Sequence, residues 1–511
     1  MPRVFCCDDK YAEVVRILTE RGWTRTALNY DEKKKAVLPK DAELVWTHLH
    51  SLHFDAVFSR VVNHMRGSQH WSNKAFLVRH LYAHRLALCP PTWSPACHGV
   101  PHLLRLLFMD QAYSSAKELL AFLDDRSSSS TPFAIEEPLR KLNRNMQVLL
   151  KEEVVPDEFN ALLKYMLFNR SLQVEPLRDL ILGIESKEPW RKYCGDQRLW
   201  ILKPVGSSCG LDILLARGMQ DTLRLVEEKF HYKCIVQKYI ERPLLVRDRR
   251  KFDIRQWVLV TSINPLVVFG FSEFYLRLST ARYDLEDITA KHVHLCNHSV
   301  QKQYLNTSDH RDDNLCDSMM SQQEFLRYLD LLGHSSEHIK EFLNNVRQLC
   351  VLTIEAVKEK VYRVGRGFEW LGFDIMVTES LDTLLIEVNV SPDISPSTTV
   401  TSPLVDAAIR DLFDMIEDEA VLEKEPSCFQ KRRDFTEYDP EASESSDLCW
   451  KLWHVGETLR PVDIQTIDIS KRRVLELDSE YVAKDLDICA GILAAIRSLG
   501  NQSSCDDDDE L

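Results

Sequence analysis

Two apolar runs predict a β-hairpin that carries polar groups on one face. They lie in the segment FEWLGFDIMVTESLDTLLIEVNV, residues 368–390. Side chains two apart on a strand point to the same side, so Glu387 and Asn389 share a face. The short connection Thr378–Asp382 can bring Asp374 alongside them. The pattern therefore predicts three oxygen ligands on one face of a hairpin.

Carboxylates in such apolar surroundings need compensation. Burial of a charge costs several kcal/mol unless a cation or hydrogen bonds offset it, and hard oxygen ligands suit Mg²⁺ shared with phosphates. We interpret Asp374, Glu387 and Asn389 as candidate ligands of a magnesium–nucleotide site. Removal of any one ligand should then abolish activity and leave the fold nearly intact. The alternative is an ordinary hairpin with an outward Asp and Glu, because alternating strands routinely expose one face to solvent.

The remaining pattern is that of a protein with both helices and strands. A mostly helical period covers residues 105–185 and is broken by the polar run 124–130. Apolar residues three or four apart from Ile339 to Val357 predict a helix with one buried stripe. The predicted strands are Arg3–Cys6, Glu43–Trp46, Trp200–Leu202, Cys234–Val236, Trp257–Val260 and Leu266–Phe269, and the first predicted helix is Tyr11–Arg21.

We divide the chain into four regions. These are an N-terminal α/β domain over residues 1–104, a mostly helical segment with an insertion over 105–198, a catalytic core over 199–420, and a C-terminal region over 421–511. The last region is predicted to hold an acidic linker, a small appended unit and a disordered acidic tail. Its charge supports this prediction, because residues 401–511 hold 12 Lys and Arg against 27 Asp and Glu, while the whole chain has a net charge of −14.

Composition narrows the class of protein. A hydrophobic content of 44% in 511 residues is enough for globular cores. We expect a soluble, intracellular protein without a membrane span, since no run approaches the roughly 18 apolar residues required. The 14 cysteines are scattered without a C-x-x-C pair, which favours reduced, mostly buried thiols. Basic residues form only local patches, such as residues 247–251, and nucleic-acid binding is not expected.

A second set of motifs could contact a nucleotide. Lys203 ends a predicted strand and precedes the small-residue loop 205–213, whose backbone N–H groups could surround phosphates without the spacing of a P-loop. Residues 237–240 can reach an adenine edge through backbone groups, and the charges of residues 251–255 alternate along one strand face. The plain alternatives are, respectively, a turn, a strand end and a solvated strand face.

The order of these motifs resembles the tubulin tyrosine ligase-like family, and most of all its tubulin glycylase branch. The family motifs are a phosphate-loop lysine, an adenine hinge, K-F-D-x-R, H-L-x-N and a D…E-x-N pair, which here run from Lys203 to Asn389. Further matches are Tyr275–Arg277 and Ser391–Pro392, and more loosely Asn63–His64 and Asn73–Lys74, while the glycylase-like phrases are residues 237–245, 294–302 and 395–398.

The resemblance implies an α+β, ATP-grasp fold in which a small N-terminal α/β domain and mixed or antiparallel sheets flank a nucleotide cleft. It implies an ATP-dependent carboxylate–amine ligase that attaches glycine to glutamate side chains in tubulin C-terminal tails through an acyl phosphate. The implied cofactors are ATP and Mg²⁺, and the implied partners are tubulin or microtubules and free glycine, with no nucleic acid or membrane. The expected location is the cytoplasm and cytoskeleton, with cilia or flagella as candidates.

The resemblance also gives individual residues their roles. Asp374, Glu387 and Asn389 would hold Mg²⁺, Lys203 and Lys251 would neutralise phosphate charge, and Arg277 would hold a substrate carboxylate. The implied catalytic residues are Arg277, Lys251, Asp374 and Glu387, and the implied nucleotide-binding residues are Lys74, Lys203, Gly210, Ile213, Gln237, Lys238, Tyr239, Ile240, Lys251, Asp253, Cys296 and Asn297.

Two alternatives stay open. A polyglutamylase of the same family differs chiefly in a cation for the donor's side-chain carboxylate. An inactive nucleotide- or microtubule-binding scaffold is suggested by Ser208–Asp212, where the family's S-R-G-R-G-like run has lost both arginines. The acidic C-terminal region would be held away from the cleft or would screen it. Deletion of residues after Phe429 should therefore leave activity unchanged or raise it.

Overall fold

A computed structural model describes most of the first 417 residues and a short segment after them. The described residues are 3–57, 59–95, 98, 100–124, 157–168, 173–206, 210–307, 318–417 and 448–457. They fall into two compact units, a larger one of residues 3–89, 243–284 and 290–457 and a smaller one of residues 90–242 and 285–289. Helices in these ranges are too short or too polar to cross a lipid bilayer.

The strands and helices follow in chain order. The strands are β1 (Val4–Cys7), β2 (Thr24–Thr26), β3 (Asn29–Tyr30), β4 (Ala36–Val37), β5 (Leu44–Trp46), β6 (Val61–Val62), β7 (Thr92–Trp93), β8 (Leu199–Pro204), β9 (Leu214–Arg217), β10 (Cys234–Lys238), β11 (Leu245–Val246), β12 (Arg250–Ile263), β13 (Leu266–Phe271), β14 (Tyr275–Arg282), β15 (Met319–Ser321), β16 (Arg366–Gly367), β17 (Glu369–Val377), β18 (Thr383–Asn389) and β19 (Trp450–Val455). The α-helices are α1 (Ala12–Glu20), α2 (Gln69–Ser72), α3 (Lys74–Ala83), α4 (Val100–Asp124), α5 (Asp157–Phe168), α6 (Val174–Lys187), α7 (Gly218–Arg224), α8 (Lys291–His294), α9 (His298–Thr307), α10 (Gln322–Leu331), α11 (Ser336–Val357) and α12 (Thr401–Glu417).

The first sheet of the larger unit is parallel and has the order β16-β6-β5-β1-β2. The predicted strands and helix of this region are confirmed as β1, α1 and β5. Strand β16 comes from residues 366–367, immediately before the hairpin. The N-terminal sheet is therefore completed by a strand that lies about 300 residues later in the sequence. This pairing places the start of β17 beside β6.

The second sheet of the larger unit has eight strands built around the 14-residue β12. Strand β12 pairs antiparallel with β13, β14 and β17, and β17 pairs antiparallel with β18, so the predicted hairpin is confirmed. Helix α11 covers part of this sheet's core. Its predicted apolar stripe is buried, from Ile339 through Phe342, Val346 and Leu349 to Val357.

The smaller unit combines a four-stranded sheet with helices. Its sheet has the order β7-β10-β8-β9, and its helices α4, α5 and α6 share an apolar core of their own. The predicted helical character of residues 105–185 is confirmed for the described part. Nearly all of the polar run 124–130 lies outside the described residues. The predicted α+β class holds for both units.

The C-terminal region differs from the prediction in one respect. Residues 450–455 form β19, which pairs with β13 at the edge of the large sheet, so this segment is not part of a separate appended unit. Trp450 is fully buried, and the ring of Trp453 occupies the space above Gly270. Deletion after Phe429 would also remove β19 and uncover this core, so a loss of activity on that deletion would follow from destabilisation of the sheet. The effect of the acidic region itself stays a prediction. The predicted linker and acidic tail lie outside the described residues.

The cysteine prediction is confirmed where the structure can test it. The cysteines in the described ranges are free thiols, and six of them are buried. Cys6, Cys7, Cys194, Cys234, Cys296 and Cys350 make up the buried set.

Candidate functional site

The strand register of the large sheet places five charged side chains on one face. Asp374 of β17 lies directly opposite Glu387 of β18 and Arg255 of β12. Asp253, two residues before Arg255, lies opposite Arg277 of β14. Opposed residues in neighbouring strands share a face, as do residues two apart in one strand. Strand alternation and register together therefore account for the cluster, which we call the carboxylate cluster.

Arginine side chains neutralise the two aspartates of this cluster. Arg255 Nε donates to Asp374 Oδ1 at 2.6 Å, and its Nη2 donates to Oδ2 at 3.3 Å. Arg277 Nε donates to Asp253 Oδ1 at 2.6 Å, and Arg277 Nη2 lies 2.8 Å from Asp374 Oδ2. The cluster is a buried ion-pair network, and its arginines supply the compensation that the apolar sequence demanded.

Burial and charge shift the pKa values of the two aspartates in opposite directions. Burial acts to raise the pKa of Asp374, but the adjacent Arg255 and Arg277 outweigh it and lower that pKa to about 2. Burial raises the pKa of Asp253 above its ordinary value, although Arg277 opposes the shift. Asp374 is only 1% exposed. The alternative of an outward Asp on an ordinary hairpin is therefore wrong.

Glu387 and Asn389 complete the oxygen face of the hairpin. Glu387 Oε2 lies 3.4 Å from Lys74 Nζ, and Asn389 Nδ2 lies 3.3 Å from Asp374 Oδ2. Lys74 is the first residue of α3, whose N-terminus is capped by Asn73 through the backbone N–H groups of residues 75 and 76. The cap therefore fixes the lysine beside the carboxylate cluster.

The donor set fits Mg²⁺ shared with phosphate groups. Asp374, Glu387 and Asn389 offer hard oxygen atoms on one face, and Mg²⁺ is usually held by one or two carboxylates together with substrate phosphates. Within the described ranges, no group of three His, Cys, Asp or Glu side chains could hold a metal ion alone. An ion at this cluster would thus depend on Asn389 and on oxygen atoms of a ligand.

Lys251 and the H-L-C-N segment meet beside the cluster. Lys251 Nζ donates to the backbone oxygen of His294 at 2.9 Å. Burial lowers the pKa of Lys251 to about 8, and burial raises the pKa of Cys296 to about 12. Asn297 follows directly and is partly exposed. The alternative of a solvated strand face at residues 251–255 is wrong, because Lys251, Asp253 and Arg255 are at most 6% exposed.

The smaller unit contains the other predicted nucleotide residues. Lys203 Nζ donates to Gln237 Oε1 at 2.8 Å between strands β8 and β10. Gln237 Nε2 in turn donates to Thr92 Oγ1 at 2.9 Å. The structure thus brings together the predicted phosphate-loop lysine and the first residue of the predicted adenine hinge on one face of the small sheet.

The next hinge residue faces the opposite side of this sheet. Lys238 Nζ lies 3.0 Å from Asp110 Oδ2 and 3.6 Å from Glu241 Oε1, in a buried network. The backbone N–H groups of Lys238 and Tyr239 donate to the carbonyl groups of residues 91 and 199. The Lys238 side chain therefore serves the internal packing of the smaller unit, and these two N–H groups already have acceptors. Tyr239 and Ile240 are both buried.

The small-residue loop is described only at its ends. Residues 207–209 lie outside the described residues, and with them most of the departure from the family's S-R-G-R-G-like run. Gly210 and Asp212 adopt left-handed backbone conformations with φ of 72° and 55°. Gly is well suited to such φ values and Asp tolerates them, which indicates a tight turn. Ile213 follows as a buried residue.

Two buried residues of the site were not given a role from sequence. Arg255 was recognised only as part of an alternating strand, although it contacts Asp374 directly. Glu369, at the start of β17, is fully buried and accepts a hydrogen bond from His64 at 2.7 Å. The sequence signal for a buried role of Glu369 was its position as the single acidic residue in the apolar run F-E-W-L-G-F. Sequence alone could not supply its partner, which lies 305 positions away.

Comparison with known proteins adds independent evidence. The sequence model described as the tubulin-tyrosine ligase family matches residues 139–428. The chain is 35% identical over 247 residues to tubulin glycylase 3B of Drosophila melanogaster, which covers 48% of this chain and 32% of the relative. It is 31% identical over 309 residues to tubulin monoglycylase TTLL3 of Homo sapiens, which covers 60% of this chain and 39% of the relative.

A third relative, tubulin glycylase 3C of Tetrahymena thermophila, is 33% identical over 243 residues, with 47% of this chain and 22% of the relative covered. The chain thus spans well under half the length of the curated relatives it matches. The family match itself covers more than half of the chain and includes the whole hairpin with its carboxylate cluster. The chain belongs to the tubulin-tyrosine ligase family.

Proposed function

We propose that this protein is an ATP-dependent ligase that attaches glycine to glutamate side chains in the C-terminal tails of tubulin. The observation that carries the proposal is the carboxylate cluster, where Asp374 and Glu387 are directly opposed in register and are held by arginine and lysine side chains. The names of the relatives, which are tubulin glycylases, support the choice of donor and acceptor. A cytoskeletal location follows from that acceptor.

The proposed reaction brings phosphate and carboxylate anions together. The γ-phosphoryl group of ATP is transferred to a carboxylate, and the resulting acyl phosphate is attacked by an amine. Such chemistry depends on positioning and on charge neutralisation rather than on a protein nucleophile. This requirement is met by a sheet face that carries both carboxylates for Mg²⁺ and fixed cations. Side chains on strands are held precisely enough to position the reacting groups for transfer of the phosphoryl group.

Each residue of the cluster has a role in the proposal. Glu387, Asn389 and Asp374 would hold Mg²⁺, and Arg255 and Arg277 fix the Asp374 carboxylate. Bound Mg²⁺ would neutralise charge on the β- and γ-phosphates. Lys251 supplies a further positive charge for phosphate, supported by its buried position against the backbone oxygen of His294.

Arg277 needs a revised role. It was expected to hold a substrate carboxylate, but its guanidinium already contacts Asp253 and Asp374. We assign it to fixing the two aspartates, with any substrate contact made from the remaining face of the guanidinium. The nucleotide roles stay predictions for Lys74, Lys203, Gly210, Ile213, Gln237, Lys238, Tyr239, Ile240, Asp253, Cys296 and Asn297.

The test is mass spectrometry of tubulin tails after incubation with the purified protein, Mg-ATP and equal concentrations of glycine, glutamate and tyrosine. We expect a mass gain of glycine residues on glutamate side chains, and no gain with the Glu387→Gln variant. Incorporation of glutamate instead would identify a polyglutamylase. Nucleotide binding without incorporation of any amino acid would support the inactive scaffold.

A further inference from the structure

A small pocket lies beside the carboxylate cluster in the larger unit. Its wall is formed by the aromatic side chains of Tyr11, Trp46 and Trp370, and its polar end is formed by His64 and Ser391. This pocket, which we call the His64 pocket, was not predicted from sequence. Its free volume of about 20 Å³ admits one water-sized group, such as an amino group, rather than a whole amino acid.

A buried glutamate fixes the orientation of the His64 ring. His64 is 1% exposed, and its Nδ1 lies 2.7 Å from Glu369 Oε1. Glu369 also accepts hydrogen bonds from the Met65 backbone N–H at 2.8 Å and from the Ser68 hydroxyl. Because Glu369 is the acceptor, Nδ1 of a neutral His64 carries the proton. The lone pair is then on Nε2, which lies 3.5 Å from Ser391 Oγ at the edge of the pocket.

The chain connects this pocket directly to the carboxylate cluster. Ser391 follows Asn389 by two residues, so their Cα atoms are at most about 7 Å apart. Pro392, another wall of the pocket, packs on Gly372, where an added Cβ atom would lie 2.8 Å from Pro392 Cβ and 3.3 Å from Arg255 Cδ. Gly372 pairs with Asn389 in the hairpin. The pocket and the proposed metal ligands therefore share one corner of the sheet.

The proposed reaction needs a proton acceptor at this corner. Glycine in neutral water is an ammonium ion, which has no lone pair with which to attack an acyl phosphate. The carboxylates of the cluster are engaged by arginine and lysine side chains. An imidazole whose Nδ1 is held by a carboxylate, and whose Nε2 is turned to the pocket beside the Ser391 hydroxyl, has the geometry of a general base.

We propose that His64 accepts a proton from the incoming amine, that Glu369 positions His64, and that the His64 pocket admits the amino group of the donor. This inference rests on the proposed ligase function. The ammonium loses one proton to His64 Nε2, and the free amine nitrogen then forms a bond to the acyl carbon. The carbon–oxygen bond to phosphate breaks with its electron pair on the phosphate, which carries away a second proton. One hydrogen stays on the amide nitrogen.

The titratable neighbours of His64 are few. Glu369 faces Nδ1, Tyr11 faces the same pocket and forms a hydrogen bond with Ser391, and His48 interacts with His64 through space. A pKa seen in the pH profile of the reaction could therefore be assigned to only a few side chains around the pocket.

The test compares two nucleophiles on a synthetic tubulin-tail peptide with Mg-ATP. Hydroxylamine is a far weaker base than glycine, is unprotonated at neutral pH, and traps an acyl phosphate as a hydroxamate without a general base. The variant is His64→Gln, whose amide can still donate to Glu369 but cannot take up a proton. We expect roughly hundredfold slower glycine incorporation at neutral pH, recovering partly at alkaline pH, with hydroxamate formation within about threefold of wild type.

The control is His50→Gln, a histidine with an exposed side chain, which should change neither rate. Glu369→Gln removes the carboxylate behind Nδ1, lowers the basicity of the imidazole, and should move the acidic limb of the glycine pH profile without loss of hydroxamate formation. If His64→Gln unfolds, this second variant decides the matter.

The outcomes are distinguishable. Two outcomes would overturn the inference and leave the ligase function standing. One is an equal loss of glycine incorporation and hydroxamate formation in folded His64→Gln and Glu369→Gln variants. The other is unchanged rates of both reactions with an unchanged pH profile. Failure of the wild-type protein to form either product would overturn both.

Discussion

Replacement of Asp374 should destabilise the protein far more than replacement of Glu387, although we place both at the metal. Asp374 is 1% exposed and contacts Arg255 at 2.6 and 3.3 Å and Arg277 at 2.8 Å. Asp374→Ala leaves two buried guanidinium groups without that partner. Loss of one member of a buried ion pair costs about 3–5 kcal/mol.

Glu387 is in a different situation. Its side chain is 17% exposed, and it forms an ion pair with Lys74 at 3.4 Å. Glu387→Gln keeps the side-chain shape and an oxygen that can accept a hydrogen bond from Lys74, so its cost should be smaller, on the order of 1 kcal/mol. We therefore expect the fold to stay nearly intact when Glu387 is replaced, but not when Asp374 is replaced.

The assay is thermal unfolding of both variants beside wild type, followed by Mg-ATP-dependent incorporation. At roughly 2–4 °C per kcal/mol, Asp374→Ala should lower Tm by on the order of 10 °C, and Glu387→Gln by no more than about 4 °C. Both variants should lack activity. An unchanged Tm for Asp374→Ala would refute the buried ion-pair network, and full activity of Glu387→Gln would refute its assignment as a metal ligand.

Two further predictions follow from the same site. Because burial lowers the pKa of Lys251 to about 8 from 10.5, the unfolded state binds more protons between these values and stability should rise with pH across that window. The affinity for ATP, measured by calorimetry, should fall about tenfold from pH 7 to 9 as the Lys251 ammonium loses its proton. If the Lys251→Arg variant binds ATP at pH 7, its affinity should not change with pH over this range. Gly372→Ala would place a Cβ 2.8 Å from Pro392 Cβ and should cost about 1–3 kcal/mol. The matched control is Gly183→Ala in helix α6, where an added Cβ would have no atom within 4 Å. This variant should be neutral or slightly stabilising in the same thermal unfolding experiment. Equal Tm values for the two variants would contradict the packing at Gly372.

Local patterns predicted the elements that carry this site. Period-two alternation identified the hairpin, and a stripe at spacings of three and four identified α11. Short-range rules also explain why Glu387 and Asn389 share a face. These features depend only on backbone geometry and neighbouring residues, so a single sequence contains them.

The remaining features depend on contacts between distant parts of the chain. The compensation of Asp374 was expected from a metal ion, but Arg255 and Arg277 also provide it, and only the register between β12, β14 and β17 reveals this. The pairing of His64 with Glu369 spans 305 positions. The predicted hinge role of Lys238 rests on its backbone. Its side chain packs against Asp110, because alternation along β10 turns it to the other face from Gln237.

The central claim is that a glutamate carboxylate is activated by the γ-phosphoryl group of ATP and then captured by glycine. Its most direct test uses a tail peptide whose glutamate side chain carries heavy oxygen, incubated with the protein, Mg-ATP and glycine. We predict that one heavy oxygen appears in the released phosphate for each glycine found on the peptide, and that Glu387→Gln yields neither. Glycine incorporation without heavy oxygen in the phosphate, or labelled phosphate formed without any bound amino acid, would contradict the account.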